Sequence, residues 1–336
     1  MGSHLEESLV TKYIIKRLIS LIPLILLVSM ISFAIIELPP GDYVSRYISK
    51  LEMQGKQLSE SEITRLKQLY DMDMSLPERY FNWMYKIITK GDFGISFAYN
   101  TPVSELIGER LAMTMIISIV TLLFTYLVAT AIGIFSAVKP NSLFDYLFTL
   151  IGFIGIAVPS FLIALLLIWI SYSHFGVSIT GLFSLEYTSA PWSLAKFCDM
   201  LKHIWVPVLV IGLSGTASVM RIMRSGMLDE MKKQYVVTAR AKGVREIKLL
   251  IKYPARVALN PIISTIGWVL PATISGENVV SIVLNLPTTG PLLLNALLNQ
   301  DMYLAGSMIL ILSVLTVVGT VISDILLAVL DPRIRY

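Results

Sequence analysis

The side chains with the densest chemical potential lie between Arg221 and Arg256. Ten basic residues (Arg221, Arg224, Lys232, Lys233, Arg240, Lys242, Arg245, Lys248, Lys252, Arg256) stand there against three acidic ones (Asp229, Glu230, Glu246), a surplus of seven in a chain whose total is +4. Their chemistry is non-covalent: they steer a partner or grip anionic lipid, while the small residues among them permit close contact. Covalent chemistry lacks its parts. His4, His174 and His203 are scattered, Cys198 is the sole thiol, and there is no His-Glu-x-x-His pair, nucleophile elbow or Gly-x-x-x-x-Gly-Lys-[Ser/Thr] phosphate loop. The other polar groups of note are hydroxyls in apolar runs: Ser160, Ser214, Thr216, Ser218, Ser264, Thr265, Thr273 and Ser275. Each is a candidate for lining a polar passage, although Ser and Thr in such places more often bond their own backbone or join helices.

These groups are carried on a chain of 336 residues that is 55% hydrophobic, with a mean hydropathy of +0.72. A helix needs about 20 apolar residues to cross a bilayer. Six runs without Asp, Glu, Lys, Arg or His meet or approach that length: Leu18 to Ile36, Ala112 to Val138, Tyr146 to Tyr172, Ile204 to Met220, Val257 to Gly276 and Met302 to Ser323. The fourth is the shortest, and Arg221 and Arg224 extend it by snorkelling. Asn278 to Gln300 is uncharged too, but its Asn285, Pro287, Thr288, Thr289, Gly290 and Pro291 predict a loop or re-entrant segment. The first run lacks a small-residue cleavage pattern and is expected to be a retained anchor.

Basic residues near span ends stay on the cytoplasmic side. With Arg221 to Arg256 inside, six spans put both termini inside, in agreement with Lys12, Lys16 and Arg17 before the first run and Arg333 and Arg335 after the last. The predicted fold is an all-α membrane protein with six transmembrane helices. Residues 1–38 form the tail and first helix, 39–111 an extracytoplasmic helical insertion, and 112–336 a core whose cytoplasmic loop is 221–256. Within the insertion, Ser59-Glu60-Ser61-Glu62 has capping-box spacing, and Pro77 opens a helix with Tyr80, Trp83, Met84 and Ile87 on one stripe. The segment from His174 to Lys202 also falls outside, and its Phe175, Phe183, Tyr187, Trp192 and Phe197 fit interfacial anchors. Met227 to Gly243 reads as a short helix ended by glycine, and Val244 to Tyr253 as a second helix before Pro254.

Tyr235 to Gly243, Tyr-Val-Val-Thr-Ala-Arg-Ala-Lys-Gly, resembles the loop by which permeases of ATP-binding-cassette importers of the dipeptide, oligopeptide, nickel and oligosaccharide class dock their ATPases. Thr238, Ala239 and Gly243 stand at the second, third and last marked positions of this EAA motif, and Val237 stands where many importers outside the class carry Glu. Further matching strings are Pro40-Gly41-Asp42, Gly91 to Ser96 with Pro102-Val103, Val158-Pro159-Ser160-Phe161, Arg221 to Asp229 and Leu330 to Tyr336, so the resemblance covers nearly the whole chain.

The resemblance implies a permease that hydrolyses nothing and binds no cofactor. ATP and Mg would be held by two partner ATPase subunits. The pathway would be shared with a homologous second permease, and solute would be delivered by an extracytoplasmic binding protein at the cell membrane of a bacterium or archaeon. Lipid is an expected partner and nucleic acid is not. Glu230, Tyr235, Thr238, Ala239, Arg240, Ala241, Lys242 and Gly243 would form the coupling helix, with Arg240, Lys242 and Lys232 at the rim and Ala239 and Ala241 allowing close approach. Where peptide permeases carry a Trp-Pro-Gly-Leu-Gly-like stretch after the fifth-span Glu, this chain has Glu277 and then Leu286-Pro287-Thr288-Thr289-Gly290-Pro291. That variant favours oligosaccharide over peptide, with nickel behind both. An ion-coupled carrier is the rival class, but it predicts ionisable groups at mid-membrane, and none of the six runs contains one.

Overall fold

The structure, a computed structural model, describes residues 2–37, 59–69, 74–96 and 98–330 and a few positions between 48 and 55. Pro40-Gly41-Asp42 and Asp331 to Tyr336 lie outside the described residues, as do the side chains of Ser275 and Glu277. Among the described residues the regular structure is helical, apart from one bridge between Ile95 and Pro102. In chain order the helices are α1 (Gly2–Glu37), α2 (Glu60–Leu69), α3 (Leu76–Lys90), α4 (Val103–Val138), α5 (Leu143–Ala157), α6 (Ser160–Phe175) and α7 (Leu185–Thr188). They continue with α8 (Leu194–His203), α9 (Trp205–Met231), α10 (Gln234–Ala241), α11 (Glu246–Leu250), a π-helical turn (Ile251–Ala255), α12 (Arg256–Val283), α13 (Thr289–Leu298) and α14 (Met302–Leu330).

Among the described residues, three helical stretches, Val103–Val138, Trp205–Met231 and Tyr303–Ile325, are long and apolar enough to cross a membrane, and a bent pair makes a fourth if its two helices are counted as one span. That pair, α5 and α6, corrects the expected third span. Tyr146 to Tyr172 is two helices that meet at 111°. Pro159 explains the break: it has no N–H to donate, and it forces the preceding Val158 into an extended conformation (φ −98°, ψ 127°). The two glycines before the bend serve close packing, because a Cβ on Gly155 would fall 2.8 Å from Leu213 Cγ and one on Gly152 3.3 Å from Met220 Cε.

The chain divides into two compact units. The first is built on Ala112–Pro291. Its axis is α9, which packs on α5, α6 and α12 and buries residues around most of its circumference, from Val206 and Val210 to Met223 and Met227. A helix apolar on all sides is stable only when enclosed. Hydroxyls on α4 at Thr114, Ser118, Thr121 and Thr125 are all buried. The 114, 118, 121, 125 spacing puts them on one helical face, and Thr125 approaches the Gly212 carbonyl of α9 at 3.5 Å. Such small polar faces let helices approach closely.

Of the uncharged stretch Asn278 to Gln300, expected as a loop or re-entrant segment, residues 278–283 instead complete α12, and the remainder is a loop followed by the ten-residue α13, too short to span. Thr289 locks its start: the Thr289 N–H donates to Thr114 Oγ1 at 3.1 Å, and the two hydroxyls are also 3.1 Å apart. Gly290 then passes so near α12 that a Cβ would lie 2.6 Å from the Asn278 carbonyl oxygen.

The second unit comprises Ser20–Leu111 and Leu292–Leu315. Both anticipated helix starts are present in it. The Ser59 N–H donates to Glu62 Oε2 at 2.8 Å, with a longer return bond of 3.4 Å from the Glu62 N–H to Ser59 Oγ. The Ser75 N–H donates to Glu78 Oε2 at 2.9 Å, with Pro77 in the first turn. The α3 stripe of Tyr80, Trp83, Met84 and Ile87 packs against Val28 and Phe33 of α1 and Leu310 of α14. Asp301, fully buried, opens α14 and receives hydrogen bonds from the Ser96 hydroxyl (2.5 Å), the Ala98 N–H (3.0 Å) and the Leu304 N–H (3.2 Å). The Gly91 to Ser96 string is thereby fastened to the last helix.

Gly290→Ala is expected to destabilise the chain by about 1–3 kcal/mol, the usual penalty of overpacking against unyielding backbone. Equilibrium unfolding in mixed micelles measures it, and an unchanged midpoint would contradict the close approach.

Candidate functional site

The basic loop folds into a compact bracket at the end of α9. Met227 to Met231 complete α9, the chain turns at Lys232 and Lys233, and α10 begins at Gln234, so the expected docking helix is shorter than Met227 to Gly243. Its end follows the glycine rule. Gly243 takes φ +74°, its N–H bonds the Arg240 carbonyl at 3.0 Å, and the Val244 N–H bonds the Ala239 carbonyl at 3.3 Å. These paired bonds satisfy carbonyls that the last helical turn leaves open. The second helix does not stop at Pro254. The π-helical turn Ile251–Ala255 takes in the proline and joins α11 to α12, because a wider turn accommodates the missing N–H that an α-helical ladder would require.

One face of α10 is seated and the other is free. Val236 and Ala239 are buried in a cluster with Met223 and Met227 of α9 and Leu249 of α11. Ala239 therefore packs within its own chain, which corrects its expected part in close approach to a partner. The outward face carries Gln234, Val237, Thr238 and Ala241, all exposed, and at 100° per residue these four lie together.

Charge braces the bracket from both ends. The Tyr235 hydroxyl donates to the carboxylate of Glu230 on α9, and the tyrosine is pushed up to about 12 by burial first and then by that hydrogen bond and charge. Arg240 and Glu246 form a two-point pair at 2.7 and 3.2 Å. Each favours the other's ionised form: hydrogen bonding to Arg240 lowers Glu246, and that to Glu246 raises Arg240. Both side chains are about half exposed, so Arg240 is engaged within the chain, while Lys232 and Lys242 are exposed.

A more buried ion pair is not announced by the sequence. Arg224 Nε and Nη2 each lie 2.8 Å from an oxygen of Asp145, whose side chain is 3% exposed. The Asn141 N–H adds a third hydrogen bond at 2.9 Å, and Ser142 caps the same helix start. This bidentate pair ties the start of α5 to α9, two turns before the docking bracket. Asp145 is visible in the sequence as a charge at a run end, but its partner lies 79 positions away.

Four of the eight candidate passage hydroxyls are occupied locally. Ser218 bonds the Ser214 carbonyl, Ser264 the Asn260 carbonyl and Thr273 the Val269 carbonyl. Thr265 bonds Ile262 and also meets the Tyr126 hydroxyl at 2.8 Å. Ser160 and Ser214 are half-buried, and Ser264 is exposed. Thr216 is buried, with a hydroxyl that has no partner among the described residues. The residues that favoured sugar, Thr288, Thr289 and Gly290, are buried at the α12–α13 joint, where they serve packing.

Residues 129–336 match the family described as binding-protein-dependent transport system inner membrane component, and residues 10–120 match its N-terminal companion. The chain is 33% identical to the oligopeptide transport system permease protein AppB of Bacillus subtilis over 96% of its own length and 99% of that protein. It is 30% identical to a putative peptide permease protein of Brucella suis, with the same shares covered. It is also 30% identical to the glutathione transport system permease protein GsiC of Salmonella typhimurium, again over 96% of this chain and 99% of that one.

A double-mutant cycle on Asp145→Ala and Arg224→Ala is expected to return a coupling of about 3 kcal/mol, since breaking a buried pair strands one charge. Unfolding in mixed micelles reads it, and a coupling near zero would remove the pair from the account. Gly243→Ala should cost about 1 kcal/mol through its positive φ.

Proposed function

Because the chain belongs to the binding-protein-dependent transport system inner membrane component family, we propose that it forms half of the membrane passage of an ATP-driven importer for di- or oligopeptides. The observation that carries the coupling role is α10, clamped to α9 on one side and presenting Gln234, Val237, Thr238 and Ala241 on the other. A surface of small, uncharged side chains ringed by Lys232, Lys242 and Arg245 suits insertion into a groove of an ATPase subunit. Seating by Val236 and Ala239 means that a push on α10 is taken up by α9 rather than absorbed by a loose loop.

On this reading two ATPase subunits supply ATP and Mg, a homologous permease completes the passage, and an external binding protein delivers solute. Six spans with both termini on the cytoplasmic side, the bent α5–α6 pair counting as one, give the topology that places α10 inside. Peptide replaces oligosaccharide as the solute class for two reasons. The three similar proteins described above are named for peptides or glutathione, and the Thr288-Thr289-Gly290 variant that favoured sugar is buried. Among the described candidate hydroxyls, Ser264 is the exposed one. An ion-coupled carrier is disfavoured because Asp145 is already committed to Arg224.

Two measurements test the proposal. Thr238→Arg and Ala241→Trp should leave stability within about 0.5 kcal/mol yet weaken co-purification with the ATPase subunits at least tenfold, whereas Ala239→Asp should unfold the bracket. Full ATPase recruitment by both exposed-face variants would refute docking at this face. In the reconstituted importer with its binding protein, short peptides should raise ATP hydrolysis several-fold and cello-oligomers should not. The opposite pattern would reinstate sugar.

A further inference from the structure

Helix α8 carries its polarity inside out. Its inward face holds Lys196, Asp199 and Met200, all buried, and His203, half-buried. Its outward face carries Leu194, Phe197 and Leu201, which are 79%, 44% and 52% exposed, with Cys198 exposed among them. The inward charges are satisfied. The Lys196 ammonium donates to the Ala190 carbonyl at 2.6 Å and lies 4.9 and 5.4 Å from the ring centroids of Phe183 and Trp192. The Asp199 carboxylate accepts from the N–H and hydroxyl of Ser184, both at 2.7 Å. A helix on a water-facing surface turns its charges outward and its apolar stripe inward. The reverse arrangement calls for an apolar medium on the outer side.

Continuity with α9 identifies that medium. Ile204 keeps helical dihedrals between the two helices (φ −63°, ψ −23°). Its N–H bonds the Met200 carbonyl at 2.9 Å, and its carbonyl accepts the Val208 N–H at 3.1 Å. The helical register therefore passes from α8 into α9, and Leu201, Trp205 and Leu209 follow at four-residue steps, all exposed. Since α9 is long and apolar enough to cross the membrane, its exposed side meets acyl chains, and the same strip runs on along α8. Trp205 stands where an aromatic belt sits, and Lys202 is exposed at the flank, within reach of lipid phosphates.

We propose that α8 is an interfacial helix that lies in the bilayer surface at the end of α9 remote from α10, with Leu194, Phe197, Cys198 and Leu201 among lipid chains. The occupant of this face is lipid rather than a protein partner. The inference concerns membrane seating and is independent of the solute and of ATPase docking.

Cys198 is the only cysteine in the chain, so a bimane fluorophore reports from the centre of the face. The importer would be labelled there, assembled with cysteine-free partner subunits and placed in phosphatidylethanolamine–phosphatidylglycerol bilayers. Lipids with a nitroxide high on the acyl chain should quench it several-fold more strongly than aqueous iodide. Dominant quenching by iodide would overturn the proposal in favour of water, and protection from both quenchers would overturn it in favour of a protein cover. Leu201→Cys in a Cys198→Ser background gives the same readout should the label at position 198 disturb folding.

Discussion

Enclosure of α9 is the constraint on which the first unit depends. Its 27 residues span about 40 Å at 1.5 Å per residue, and α5, α6 and α12 pack along it. Its far end carries Met223 and Met227, the floor on which α10 rests, and Arg224, the anchor for Asp145. A side chain that loosened α9 would disturb the ion pair and the bracket together, because the same turn of helix supplies both.

What could be read in the sequence was mostly local. The capping box at Ser59, the proline start at Pro77, the glycine stop at Gly243 and the apolar length of α4, α9 and α14 each depend on residues within a few positions of one another. Long-range pairings were not accessible in that way. Ser96 and Asp301 are 205 positions apart, and Thr114 and Thr289 are 175 apart, so nothing in either neighbourhood announces its partner. Proline was misjudged in both directions. Pro159 breaks a run whose composition promised one span, whereas Pro254 passes through a helical junction that its presence seemed to forbid.

The position of α10 along the chain is legible in the sequence, but the division of its faces is not. Ala239 has the small side chain that close contact requires, and it uses that smallness against α9; only the periodicity of α10, combined with knowledge of what lies beneath it, assigns the outward face to Val237, Thr238 and Ala241. The same holds for the hydroxyls of the spans. Composition marks Thr265 as polar in apolar surroundings, but its bonds to Ile262 and Tyr126 place it in helix packing.

The two exits from α10 differ mechanically. On one side a short kink at Lys232 and Lys233 separates it from α9; on the other, α11 and the π-helical turn pass without interruption into the 28 residues of α12. That second exit is a helix about 42 Å long with Pro261 and Pro271 in its interior, and just past its tip the chain enters the hydroxyl joint where Thr289 grips Thr114. The bracket and the hydroxyl joint thus stand at the two ends of one helical path, which terminates on two threonines instead of on a free loop.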